Sequence, residues 1–102
     1  MSSTLNDLET LEHRIVESAI CRLQSDGYHL KACSDGEDRY IRHDAMSAIE
    51  ACSGTEEALF FFEKPDHRCT LFVVWGEGEE CIADYSADCD AELDRISDLI
   101  SA

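Results

Sequence analysis

Cations are scarce in this sequence. Eight Lys and Arg stand against 23 Asp and Glu, a formal net charge of −15 with the histidines neutral. A chain of that sign repels nucleic acid and acidic membrane surfaces, so no direct partner is expected in either. Long apolar runs are missing too: no window approaches the ~20 residues of a membrane span. Met1-Ser2-Ser3-Thr4 has neither a basic start nor an apolar signal core, so a soluble, cytoplasmic protein is expected. The six cysteines, Cys21, Cys33, Cys52, Cys69, Cys81 and Cys89, include no close pair. A reducing cytosol disfavours disulfides, and structural zinc sites usually show such a pair, so neither disulfide nor metal is expected. A Gly-rich phosphate loop is also lacking: Gly76-Glu77-Gly78 follows a strand pattern but opens no helix, and reads as a turn.

What is present organises around Ala58 to Tyr85, which holds all four Phe, the only Trp and the only Pro. Phe60-Phe61-Phe62 and Leu71-Phe72-Val73-Val74-Trp75, separated by Lys64 to Arg68, predict a β-hairpin. Apolar residues alternate onto both faces of these strands, which predicts interior strands whose second face is covered or offered to a partner. Glu80 to Tyr85 predicts a further strand nearer an edge. Upstream, Leu5, Leu8, Leu11, Ile15, Ala19 and Leu23 recur at helical spacing behind a Thr4 cap, with Glu9, Glu12 and Glu17 mostly on the open side. Tyr28 to Cys33 and Arg39 to Arg42 predict a polar hairpin. Asp44 caps a short helix, Ala45 to Cys52, that buries Met46, Ile49 and Cys52. A last helix runs from about Asp90 to Ile100, capped by Ser86 or Asp88, with Leu93, Ile96 and Ile100 buried. With no linker, repeat or low-complexity tract, residues 1–102 are expected to form a single α+β domain: helix, two strands, helix, three strands, helix, the sheet largely antiparallel and covered by helices.

Charge is concentrated at one end. Glu77 to Asp98 carries nine carboxylates and one cation, Arg95, a net −8. Asp90, Asp94 and Asp98 are spaced to stand in a row about 6 Å apart on one helix face. Like charges at that spacing cost a few tenths of a kcal/mol per pair, roughly, and the macrodipole disfavours anions in the last turn. One reading is a solvated face; the other is a surface that imitates a line of phosphates and binds a basic, nucleic-acid-binding protein. The second makes Glu77, Glu79, Glu80, Asp84, Asp88, Asp90, Asp94 and Asp98 partner-binding residues, with Trp75 as an apolar anchor beside the turn. Aromatic residues on an uncovered sheet face would alternatively anchor a homodimer. His67 with Cys69, Cys81 and Cys89 could in principle ring a metal, but lone cysteines at apolar positions read as core. No catalytic residue and no cofactor are expected, since a Cys nucleophile beside His67 lacks a third group.

Ala48-Ile49-Glu50-Ala51-Cys52-Ser53-Gly54-Thr55-Glu56-Glu57, followed by Phe72-Val73-Val74-Trp75-Gly76 and Ile82-Ala83-Asp84-Tyr85-Ser86, resembles small acidic accessory proteins of bacteriophages and prophages. The resemblance spans residues 44–86 and is one of pattern. It implies an inhibitor acting in the bacterial host cell, of the anti-CRISPR or anti-restriction kind, several of which are DNA mimics.

Overall fold

Strict alternation along two neighbouring strands decides where the helices go. The computed structural model describes the backbone of residues 3–101 and the side chains of residues 10–101. Its elements are α1 (Ser3–Ser25), β1 (His29–Ser34), β2 (Arg39–Tyr40), α2 (Ala45–Cys52), β3 (Glu57–Lys64), β4 (His67–Val74), a 3-10 turn (Gly78–Glu80), β5 (Ile82–Ala87) and α3 (Asp90–Ser101). The fold is α+β with three α-helices, and the 3-10 turn is the one addition to the expected order. The five strands form one sheet in the order β2-β1-β3-β4-β5, antiparallel throughout. No helix among the described residues is long and apolar enough to cross a membrane.

On β3 and β4, Ala58, Phe60, Phe62, Cys69, Leu71 and Val73 are buried while Leu59, Phe61, Thr70, Phe72 and Val74 are half-buried. The buried set shares one core with Val16, Ala19, Ile20 and Leu23 of α1, with Ala45, Ala48, Ile49 and Cys52 of α2, and with Ile96 of α3. All three helices therefore pack on one face. The second face, with Leu59, Phe61, Phe72 and Val74, lies outside that core, so the helices cover one side of the sheet and leave the other, one of the two arrangements expected for it. The Arg39 guanidinium lies over the Phe61 ring there, 4.5 Å from its centroid.

The hairpin joining β3 and β4 turns on Pro65 and Asp66, and Asp66 takes the left-handed φ of 68°. Lys64 is paired with His67, so both strands extend to the turn and the loop is tighter than the sequence implied. In β1 a bulge between Leu30 and Ala32 leaves Lys31 without a cross-strand partner in β3. Asp44 caps α2, its carboxylate accepting from the Ser47 backbone N–H at 3.1 Å. Met46 turns outward, 48% exposed, and Ala45 and Ala48 fill the buried face instead. At α3 the Cys89 carbonyl accepts from the Leu93 N–H at 3.0 Å, so Cys89 occupies the cap position expected of Ser86 or Asp88.

α1 is rotated about one residue from its expected orientation. Thr4 is already helical, and the side chains of Leu5, Leu8 and Glu9 lie outside the described residues. Leu11 is 39% exposed, Ile15 is half-buried, and the inward stripe runs Glu12, Val16, Ala19 with Ile20, Leu23. Glu12, expected on the open side, is 3% exposed. Its carboxylate accepts from the Gly76 N–H at 2.8 Å and from the Gly78 N–H at 2.7 Å. Gly76 and Gly78 have φ of 97° and 63°, a conformation open to glycine that turns successive N–H groups toward one point. A carboxylate accepting two backbone N–H groups out of water forms strong, charge-assisted bonds.

Replacing Glu12 by Ala strands those donors, so Glu12→Ala should lower stability by about 1–3 kcal/mol in urea unfolding. Glu12→Gln, which keeps one carbonyl oxygen, should lose less. Equal stability of wild type and Glu12→Ala would remove the clamp from this account.

Candidate acidic interface

The eight acids singled out in the sequence are all exposed. Glu77, Glu79 and Glu80 sit in and before the 3-10 turn, Asp84 on the outer strand β5, and Asp90, Asp94 and Asp98 on one face of α3. Eight residues of helix span about 12 Å, so the α3 acids form an inclined row of three carboxylates along one side of the helix. β5 leads directly into α3, which folds back so that Ile100 and Ile82 line one concavity. Glu77, Glu79 and Glu80 line a neighbouring open hollow of about 580 Å³ with Val74, Ile82 and Ala83. The two hollows share Ile82 at the start of β5, and Arg14 and Arg22 line the one that includes Ile100.

Among the described residues, seven of these eight acids have no salt bridge; the eighth, Asp88, pairs with His67 at 3.3 Å. The cations that could have neutralised α3 are held elsewhere. Arg95, on α3 itself, wraps Asp26, with Nε 2.8 Å from both carboxylate oxygens. Lys64 bridges Glu92 at 2.7 Å and Asp26 at 3.3 Å, and its Nζ stands 4.5 Å from the Tyr28 ring centroid. The Tyr28 hydroxyl donates to Glu92 at 2.8 Å. Arg22 donates to the Leu99 carbonyl, where a cation also complements the helix C-terminus.

This network joins the end of α1, the end of β3 and the first turns of α3, and sequence reasoning missed it because its members lie far apart in the chain. Asp26 is 6% exposed at its side chain, Lys64 15% and Glu92 12%. The Arg95 bond holds the Asp26 carboxyl below its ordinary value against the opposing effect of burial. The Lys64 and Tyr28 bonds do the same for Glu92. For Lys64 burial works against the charge, and the bonds to Glu92 and Asp26 outweigh it, raising the pKa. Burial drives the Tyr28 phenol upward, with Glu92 adding to it.

Trp75 stands apart from the acids. Its Nε1–H donates to the Cys52 carbonyl at 2.9 Å, its ring meets His13 edge-on at 5.5 Å, and it packs against the core. Tyr85 likewise packs inward, its hydroxyl bonding Ser97 at 2.8 Å.

The cysteine and histidine set divides. Cys69 and Cys81 are core residues whose thiols burial pushes up to about 12 and about 11, which leaves them poor nucleophiles. Cys52 is pushed to about 12 in the same way, with the adjacent Cys33 contributing. Only Cys89 is brought to His67, and Asp88 joins them: one ligand atom from each lies within 4.8 Å of the others. The His67 to Cys89 pairing was partly visible in the sequence; the role of Asp88 was not. Comparison with protein-family models, curated proteins and solved structures gave no match.

Asp26 and Glu92, held low in the fold, contribute stability that is complete above about pH 5 and fades as pH falls through their folded values. Lys64, held above 10.5, contributes below that pH and loses its contribution at higher pH. Lys64→Met should therefore cost about 2 kcal/mol at neutral pH and flatten the acid limb of a stability against pH curve. An unchanged acid limb in that variant would show that the network does not govern it.

Proposed function

We propose that this chain works by binding: its acidic β5 and α3 edge seats on the nucleic-acid-binding surface of a basic protein or complex and blocks access of DNA. Several inhibitors of the anti-CRISPR or anti-restriction kind act through such occlusion, and the phage-like pattern of residues 44–86 agrees with it. The observation that carries the reading is the combination of seven exposed carboxylates with no salt bridge among the described residues and of Arg95 and Lys64 engaged by Asp26 and Glu92. Arg95 and Lys64 neutralise Asp26 and Glu92, so the α3 row keeps its field. A field of this size speeds encounter with a positive groove and holds the complex in a salt-dependent way. Asp88 contributes through its remaining lone pairs, and Trp75 acts as support for the turn.

The test is retention of DNA- and RNA-binding proteins from a bacterial lysate on the immobilised protein. Elution by rising salt and by competing duplex DNA is expected. The Asp90→Asn, Asp94→Asn, Asp98→Asn triple variant should fold normally and bind about tenfold more weakly or worse. A specific complex indifferent to salt, to DNA and to the triple variant would leave the row as a solvated face.

A second reading rests on the bare sheet face. Leu59, Phe61, Phe72 and Val74 form an apolar patch with Asp84 and Arg39 at its sides, which suits a homodimer interface. Salt separates the two readings, because it weakens binding to a basic partner and relieves repulsion between two copies of charge −15. Light scattering across salt concentrations decides: a dimer strengthened by salt and abolished by Phe72→Asp supports this interface, and a monomer throughout removes it.

A further inference from the structure

The geometry points to a binding site for a zinc-class divalent metal ion formed by His67, Asp88 and Cys89, at the junction of the β3–β4 hairpin and the start of α3. It does not depend on the acidic-edge reading and shares only Asp88 with it.

The bend between β5 and α3 builds the site. The last pair of the β4–β5 ladder is Cys69 with Ala87. β5 ends there, and the chain bends over Asp88 and Cys89 into α3, which brings both residues beside His67 at the start of β4. His67 Nδ1 and Asp88 Oδ1 are 3.3 Å apart. Two ligands bound at about 2.0–2.1 Å in a tetrahedron stand about that far from each other, so this pair is already at bonding spacing around a zinc ion. The Cys89 sulfur lies within 4.8 Å of a ligand atom of each residue. Cys89 is exposed, and a small side-chain rotation brings its sulfur to the slightly longer metal distance.

Donor chemistry selects the ion. Imidazole, thiolate and carboxylate together suit zinc and its neighbours, while calcium and magnesium take oxygen ligands alone. Coordination deprotonates the thiol, so one proton leaves Cys89 for solvent as the sulfur–metal bond forms. Two anionic ligands and a neutral imidazole then balance a divalent charge. Three protein ligands leave a fourth position for water. His67 and Asp88 also line an open concavity of about 460 Å³, which gives the ion a path in and the water room. Cys69 and Cys81, the other thiols in this half of the chain, face the core and take no part.

Bound there, the ion ties the hairpin to the first turn of α3 without using the Asp90, Asp94 and Asp98 row. The experiment is a cobalt(II) titration of reduced full-length protein, followed by zinc displacement, with His67→Ala, Asp88→Asn, Cys89→Ser and Cys21→Ser compared. Metal-free melting curves establish that each variant is folded. We expect one cobalt per chain, a thiolate-to-cobalt charge-transfer band, and a higher melting temperature with zinc. The band should vanish in Cys89→Ser, persist in Cys21→Ser, and require about tenfold more cobalt or greater in His67→Ala and Asp88→Asn. Three results overturn the site: cobalt uptake without a thiolate band, a band that survives Cys89→Ser, or calcium displacing cobalt as readily as zinc does.

Discussion

The buried carboxylate of Glu12 is the contact on which the arrangement of the acidic end depends. It sits on the inward stripe of α1, in register with Val16, Ala19 and Leu23, and reaches the chain 64 residues later by accepting from Gly76. Through it the longest helix fixes the exit of β4, and that exit sets where the 3-10 turn projects Glu79 and Glu80. The backbone forms a small anion-binding hollow, and the protein fills it with its own side chain. A turn so acidic would otherwise be a free loop. Held by an anion from inside, it displays its own anions outward.

A similar division of charge operates at the other end of α3. Asp26 and Glu92 expose little of their side chains; Asp26 is neutralised by Lys64 and Arg95 and Glu92 by Lys64. Breaking such a network leaves a buried charge uncompensated, so the cations are fixed there by a larger energy than any exposed pair would return. The surface excess of negative charge is thus a consequence of how the interior is neutralised as much as of composition.

Much of the fold was legible because periodicity is a local signal. The Asp44 cap, the bounds of α2 and α3, and the alternation in β3 and β4 each follow from residues within a few positions of one another. The face of α1 was not, because a glutamate at position 12 looks like a surface residue until its partners 64 and 66 residues away are known. Lys64, Asp26 and Arg95 were illegible for the same reason, and so was Trp75, whose neighbour Cys52 comes from α2. Of the candidate interface, the spacing of Asp90, Asp94 and Asp98 could be read directly. That their nearest cation would turn away to Asp26 could not. Burial of one sheet face is dictated by three amphipathic helices; nothing in the alternation of Phe60 to Phe62 alone says which face they choose.

The extra residue in β1 limits how far the sheet can grow. β2 pairs only with Cys33 and Ser34, so most of β1 presents an outer edge, the kind of surface onto which another chain can add a strand. Lys31 stands in the bulge there, and His43 Nδ1 lies 2.9 Å from the Leu30 carbonyl beside it. A bent, cationic edge with one carbonyl already engaged is a poor template for strand addition. In a protein with so few lysines, this one guards against edge-to-edge aggregation at a place where repulsion between carboxylates offers little help.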